Sequence, residues 1–231
     1  MASAATEFGL RAWLPRQRQL HRIIPSRFPP VGVFDDVASA EELEDLYAIE
    51  ALTNDRLRSE LGSLHLLPRE DWLTGAGSTP IMAAFTHPSP ARFGDGSYGV
   101  LYAARDESTA IRETVHHRER FLAATAEPAI RLDMRRYVVD LAQPLLDGRK
   151  SLLGTPVLDA DDYRAGQALG SRLQAAAAWG LFYPSVRRPG GECAAIFRAP
   201  ALKPPMLQAG HYHYYWNGRA IAFIERAEQV L

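Results

Sequence analysis

Gly99-Val100-Leu101-Tyr102-Ala103-Ala104, followed after four residues by Thr109-Ala110-Ile111-Arg112-Glu113-Thr114-Val115, is the stretch on which the reading of this chain turns. The first part is a short apolar run bounded by glycine, which suits a buried strand. From about Thr109 to Ala124 the apolar positions Ala110, Ile111, Thr114, Val115, Phe121 and Leu122 recur at spacings of three and four, which predicts a helix leaving that strand. This periodicity sets Glu113 at the margin of the buried face, where a carboxylate can point into a cleft.

Working outward, Ala129 to Leu141 reads as a strand, and Gly166 to Gly180, with its Ala175 to Ala178 run, as a helix closed by a C-terminal glycine. Two strands, Leu181 to Arg187 and Cys193 to Arg198, flank Gly190-Gly191, and the aromatic tail with Tyr212, Tyr214, Trp216 and Phe223 predicts a hairpin around Asn217-Gly218. Upstream, His21-Arg22-Ile23-Ile24 reads as a short strand that the prolines at 25, 29 and 30 keep out of helix. Ser39 and Glu42 stand at capping-box spacing, and Leu43, Leu46, Tyr47, Leu57 and Leu61 follow near a helical period, predicting a helix to about Gly62. Residues 63–98, with four prolines and several glycines, read as loop with at most short elements, and a loop so long usually has functional content.

The chain has 231 residues, 47% hydrophobic and 23% charged, which suits one core of ample size and excludes wholesale disorder. Lys+Arg 26 against Asp+Glu 27 leaves a net charge of −1, so no global basic field draws in nucleic acid or an anionic membrane. Lys150 and Lys203 are the only lysines, so the positive charge is almost all guanidinium, suited to bidentate contacts with phosphate and carboxylate, although biased codon usage in a GC-rich genome explains the bias better. A single cysteine, Cys193, excludes an internal disulfide and suits a reducing compartment. No apolar run approaches the roughly 18 residues that span a membrane, and the N-terminal stretch lacks a signal-peptide core, so a cytoplasmic, unprocessed chain is expected.

Several constellations compete for the chemistry. Gly94-Asp95-Gly96-Ser97-Tyr98-Gly99 spells the dinucleotide fingerprint, but it follows a proline-rich loop and leads into a strand, so a glycine turn explains it better. Glu113, His116 and His117 with His211 and His213 would make a metal site only if distant segments met, and the H-E-x-x-H signature is absent, so no metal is expected. Ser185 lacks the glycines of a nucleophile elbow, and Cys193 reads as a buried strand cysteine rather than a nucleophile. What remains is Arg22, Arg92, Tyr102, Glu113, Ser185 and Arg187, which alone suggest only a generic phosphate-ester or nucleotide site.

At these residues the chain resembles the RES-domain family, toxins of bacterial toxin–antitoxin pairs named for an arginine, a glutamate and a serine. His21-Arg22-Ile23 resembles the opening strand motif, and Ala91-Arg92-Phe93-Gly94-Asp95-Gly96 the second arginine with its glycines. Tyr98 to Ala104 followed by Ser108 to Thr114 is similar to the central strand-then-helix block, and Tyr183-Pro184-Ser185-Val186-Arg187 with Gly190-Gly191 to the serine motif. His21-Arg22 departs from the Tyr-Arg of short members, as Phe93 to Gly96 departs from their Gly-Gly-Arg-Trp, and the helix and loop over 35–90 look like an elaboration closer to the ParT-like branch.

The resemblance implies an α+β fold over residues 1–231: one domain, a mixed and mostly antiparallel sheet core like that of ADP-ribosyltransferases, with helices around it. It implies NAD+ as substrate, with Glu113, Arg22 and Tyr102 in catalysis and Arg92, Ser185, Arg187, His21 and Phe93 in substrate binding. Cleaving the nicotinamide–ribose bond builds an oxocarbenium ion, for which Glu113 is the matching carboxylate, while arginines hold the pyrophosphate and Tyr102 stacks on nicotinamide. The expected activity is transfer of ADP-ribose to a protein, favoured because the 35–90 elaboration offers a docking surface. The alternatives are transfer to phosphate or water, and a non-catalytic nucleotide- or partner-binding module, against which an acid among phosphate-binding arginines argues. A helix-turn-helix antitoxin is the implied partner.

Overall fold

The computed structural model describes residues 7–26, 32–49, 59 and 61–227. Its strands are β1 (Ala12–Trp13), β2 (Gln19–Pro25), β3 (Leu101–Ala104), β4 (Ile130–Leu141), β5 (Leu145–Asp147), β6 (Gly180–Pro184), β7 (Glu192–Ile196), β8 (Leu202–Trp216) and β9 (Ile221–Ala227). They form one sheet in the order β1-β5-β6-β7-β3-β2-β4-β8-β9, in which only the β5–β6 pair is parallel. The helices are α1 (Val33–Asp36), α2 (Ala40–Ile49), α3 (Thr79–Thr86), α4 (Glu107–Ala124) and α5 (Arg164–Ala175). The mixed, mostly antiparallel α+β architecture expected from the sequence is the one observed.

Strand alternation splits the interior into two apolar layers, one on each face of the sheet. Leu20, Leu101, Ala103, Val139, Phe182 and Ile196 face a layer completed by Phe34, Leu43, Ile81 and Phe85 from the 33–86 region. Ile23, Ala104, Leu181, Cys193, Ala195 and Tyr214 face the other, closed by Ala110 of α4, Leu173 of α5 and Phe93. The 35–90 region therefore covers the face of the sheet opposite α4, and its proposed role as a docking surface beside Glu113 loses its footing.

Local chemistry explains most element ends. Asp106 caps α4 by accepting the Thr109 N–H at 2.9 Å, and the Thr109 hydroxyl donates to its second oxygen at 2.7 Å. At α2 the Glu42 N–H donates to Ser39 Oγ at 3.1 Å while Glu42 accepts the Ala38 N–H at 2.9 Å, so the expected cap forms. The helix predicted to run on to Gly62 is described only as far as Ile49, and positions 50–58 lie outside the described residues. α5 ends five residues earlier than Gly180, because Ala177 takes a left-handed φ of 52° and turns the chain into β6. The 63–98 stretch holds a helix that the proline count hid, since Pro80 sits in the first turn of α3, where a missing N–H costs nothing. Gly99 admits that helix: a Cβ there would stand 2.2 Å from the Phe85 Cα. The Asn217-Gly218 hairpin forms, with Asn217 Oδ1 accepting the N–H groups of Arg219 and Ala220 at 2.9 and 3.0 Å. Among the described residues no helix is long and apolar enough to cross a membrane.

Candidate active site

β6 stops at Pro184, and the next residue leaves the sheet to begin a turn closed by Gly190 at a φ of 75°. The predicted strand through Arg187 thus ends before Ser185, which frees that side chain to work as a turn residue. Ser185 Oγ accepts the N–H groups of Arg187 and Arg188 at 3.2 and 3.0 Å and donates to Glu113 Oε1 at 2.6 Å. Cys193 of β7, 1% exposed, brings its Sγ to 3.7 Å from the same oxygen. Burial, reinforced by the charge of Glu113, pushes the Cys193 thiol well above its ordinary pKa, so it stays protonated and donates. Tyr183, stacked edge-on to Phe93 at 4.8 Å, is pushed up by burial and by the nearby Cys193 and Glu113. Glu113 is thereby fixed by two donors on one oxygen.

β2 and β3 pair at a single position, His21 with Ala104. Beyond that pair Arg22 spans to β3, donating from Nη1 to the Tyr102 carbonyl at 2.8 Å. Desolvation pulls its guanidinium down to about 10, which still leaves it cationic at neutral pH. Tyr102 points its hydroxyl to the Phe93 N–H, which donates to it at 2.8 Å, and Tyr98 donates to the Phe93 carbonyl at 2.7 Å. Burial raises the Tyr102 hydroxyl, which stays neutral. The Phe93 ring is wholly buried, and it is the backbone N–H and carbonyl of this residue that meet the Tyr102 and Tyr98 hydroxyls.

Arg92, 8% exposed, donates from Nη1 to the carbonyls of Val157 and Asp159 at 3.3 and 2.6 Å and lies over the Tyr163 ring at 4.7 Å. Arg187 donates from Nη2 to the Ala160 carbonyl. His21 turns away from this group into a separate buried network: its Nδ1 accepts from Arg136 at 3.1 Å, and Arg136 pairs with Glu107 at 3.4 Å. Burial and Arg136 lower the His21 pKa, so it is a neutral strut between β2 and β4.

Partners separate two sets among the partly buried arginines. Arg105, Arg136, Arg149, Arg188 and Arg198 each stand within 4 Å of a carboxylate, the tightest being Arg198 with buried Asp71 at 2.6 Å. Arg22, Arg92 and Arg187 are held by main-chain carbonyls only and, among the described residues, pair with no carboxylate. A partly desolvated guanidinium without a counter-charge is costly, which marks these three as places where an anion belongs.

Residues the sequence did not single out include Arg188, which donates to Thr109 Oγ1 at 3.1 Å beside the α4 cap, and Tyr163. Only the adjacency of Arg188 to Arg187 could have signalled the first. Among the described residues no group of three or more His, Cys, Asp or Glu is arranged to hold a metal ion; His213 bonds Asp133 at 2.7 Å and His211 bonds Gln208 at 2.7 Å. Two cavities, a trough of about 900 Å³ over β8 and β9 and a pocket of about 190 Å³ beside α3, are lined by neither Glu113 nor Ser185.

A family model described as the RES domain matches residues 64–217, a stretch that contains Arg92, Tyr102, Glu113, Ser185 and Arg187 and begins after Arg22. The uncharacterized protein y4oC of Sinorhizobium fredii (strain NBRC 101917 / NGR234) is 35% identical over 208 residues, covering 89% of this chain and 86% of that protein. A chain from the crystal structure of the M. tuberculosis MbcT–MbcA toxin–antitoxin complex is similar over 55% of this chain and 72% of its own length, with a TM-score of 0.41 and 13% identity.

Proposed function

The chain belongs to the RES-domain family, and from that premise we propose that it is the toxin of a toxin–antitoxin module and acts by cleaving the nicotinamide–ribose bond of NAD+. The observation that carries this reading is the coexistence of three arginines lacking acidic partners with one carboxylate, Glu113, pinned by Ser185. Anion binding alone is served by the arginines and hindered by the acid; bond cleavage with a cationic transition state uses both.

In this reading Arg22, Arg92 and Arg187 take the pyrophosphate as planar donors, and the Tyr102 ring lies against the nicotinamide. As the glycosidic bond breaks, its electron pair passes to the nicotinamide ring nitrogen and cancels the pyridinium charge. The positive charge left on the ribose is shared between the anomeric carbon and the ring oxygen, and the Glu113 carboxylate stabilises it. Ser185 and Cys193 act on Glu113, holding its carboxylate in one orientation and keeping it from folding onto an arginine. An acceptor then adds to the anomeric carbon and gives up its proton.

The acceptor is a protein side chain in the first reading. Transfer to inorganic phosphate or water is the second. For either acceptor, the partner implied by the family resemblance is a helix-turn-helix antitoxin that silences the site. The test is to incubate the purified protein with NAD+ labelled in the adenylate phosphate, with and without phosphate and cell lysate, and to follow nicotinamide and label. Label on a lysate protein supports transfer; label in small molecules only, dependent on phosphate, supports phosphorolysis. No nicotinamide release under any condition refutes the enzyme.

A further inference from the structure

Two of the three unpaired arginines, from segments 95 residues apart in sequence, end on one short loop. Arg92 reaches the carbonyls of Val157 and Asp159, and Arg187 the carbonyl of Ala160, the next residue. The loop is shaped by its own side chain: Asp159 Oδ1 accepts the N–H groups of Asp161 and Asp162 at 2.9 and 2.8 Å, an Asx turn. These bonds hold the Asp159 carboxyl below its ordinary pKa. Immediately after it Tyr163 lies under the Arg92 guanidinium at 4.7 Å. On the other side Gly166 and Gly170 of α5 let the Arg92–Phe93 backbone approach to a distance no Cβ tolerates, 2.4 and 2.0 Å from their built Cβ positions.

We propose that the loop Val157–Tyr163 is a positioning device, in which the Asp159 turn and the Tyr163 ring set Arg92 and Arg187 as one clamp for a diphosphate. The inference rests on the functional reading above and adds to it residues outside the RES motifs. Two features distinguish a clamp from a pair of structural anchors. The carbonyls engage a single nitrogen of each guanidinium, Nη1 of Arg92 and Nη2 of Arg187, leaving the rest of each fork to donate to a ligand. The loop is rich in aspartate, yet its hydrogen bonds to the two arginines come from neutral carbonyls, while Asp159 Oδ1 is taken up by its own turn and Asp162 pairs with Arg164 at 2.5 Å. The guanidinium pair is thus oriented by hydrogen bonds that add no counter-charge, and the Asp159 carboxylate acts on Arg92 through space only.

Charge and geometry make opposite predictions at Asp159, which gives the test. Replacing Asp159 with Asn removes a negative charge beside Arg92 and keeps the turn, because the amide oxygen accepts the same N–H groups. Replacing it with Ala removes the charge and the turn together. The clamp predicts that Asp159→Asn binds NAD+ and ADP-ribose at least as tightly as the wild type, whereas Asp159→Ala binds both several-fold more weakly. Tyr163→Leu should raise KM for NAD+ about 3- to 10-fold with kcat little changed, and Tyr163→Phe should restore it, since the ring face and not the hydroxyl meets Arg92. Dissociation constants come from calorimetry with ADP-ribose and KM and kcat from nicotinamide release, on variants whose melting temperatures match the wild type. If Asp159→Ala tightens binding as Asp159→Asn does, or if Tyr163→Leu keeps the wild-type KM while the wild type cleaves NAD+, the clamp is wrong and the functional reading stands. If the wild type neither binds ADP-ribose nor releases nicotinamide, both fall together.

Discussion

Removing the Ser185 hydroxyl is the perturbation that most sharply separates a working carboxylate from an incidental one. The hydroxyl donates to Glu113 Oε1 at 2.6 Å and accepts two backbone N–H groups, and a hydrogen bond to an ionised group contributes about 1.5–3 kcal/mol. If that bond serves to hold Glu113 for the transition state, Ser185→Ala should lower kcat by roughly 10- to 100-fold. The loss of the one acceptor shared by the Arg187 and Arg188 N–H groups, in a half-buried turn, should cost about 1 kcal/mol of stability and leave the fold intact. The decisive arm is a double-mutant cycle with Glu113→Gln, read by nicotinamide release under single-turnover conditions. Once Glu113 is neutral there is no carboxylate to orient, so adding Ser185→Ala should change the rate by less than about threefold. Full additivity of the two losses would refute the claim that Ser185 works through Glu113.

Cys193, buried and pushed up in pKa, should resist thiol reagents in the native protein at pH 8 and react on unfolding; prompt native labelling would contradict its burial. Gly170→Ala places a Cβ 2.0 Å from the Phe93 carbonyl oxygen and should destabilise the protein by about 2 kcal/mol or more in denaturant unfolding, with loss of NAD+ affinity through the displaced Arg92. His21 has a folded pKa below its ordinary 6.5, so the unfolded chain takes up that proton first. Its contribution to stability is therefore whole above about pH 6.5 and declines as the pH falls through that value towards the lowered one; melting curves from pH 7 to pH 5 should show a drop that His21→Asn makes shallower. His116, also lowered by burial, adds a decline of the same sign that persists in the variant.

What was legible in the sequence was local chemistry. The β3–α4 block, the Ser39–Glu42 cap and the Asn217-Gly218 hairpin all rest on spacings within a few residues, and all three stand in the structure. Glu113 and Ser185 were picked out by resemblance and meet across 72 positions of chain, which no periodicity encodes. α3 is hidden in the sequence because proline marks loops in general, whereas Pro80 sits in the first turn of a helix. The face covered by residues 35–90 was illegible because it depends on which side of the sheet a connection crosses. The place of Phe93 is illegible for a related reason: a motif fixes the backbone of its residues, and here the tyrosine hydroxyls at 98 and 102 use that backbone while the ring fills the core. The division of the arginines by partner was likewise beyond sequence, since Arg92 and Arg198 look alike until one is seen against carbonyls and the other against Asp71.

The most direct test of the account is the rate of nicotinamide release from NAD+ by the purified protein, compared with that of Glu113→Gln at matched melting temperature. The account predicts turnover by the wild type and a loss of at least about 100-fold in the variant, with ADP-ribose still bound by its arginines. Equal rates in the two proteins, or no release by either, would contradict it.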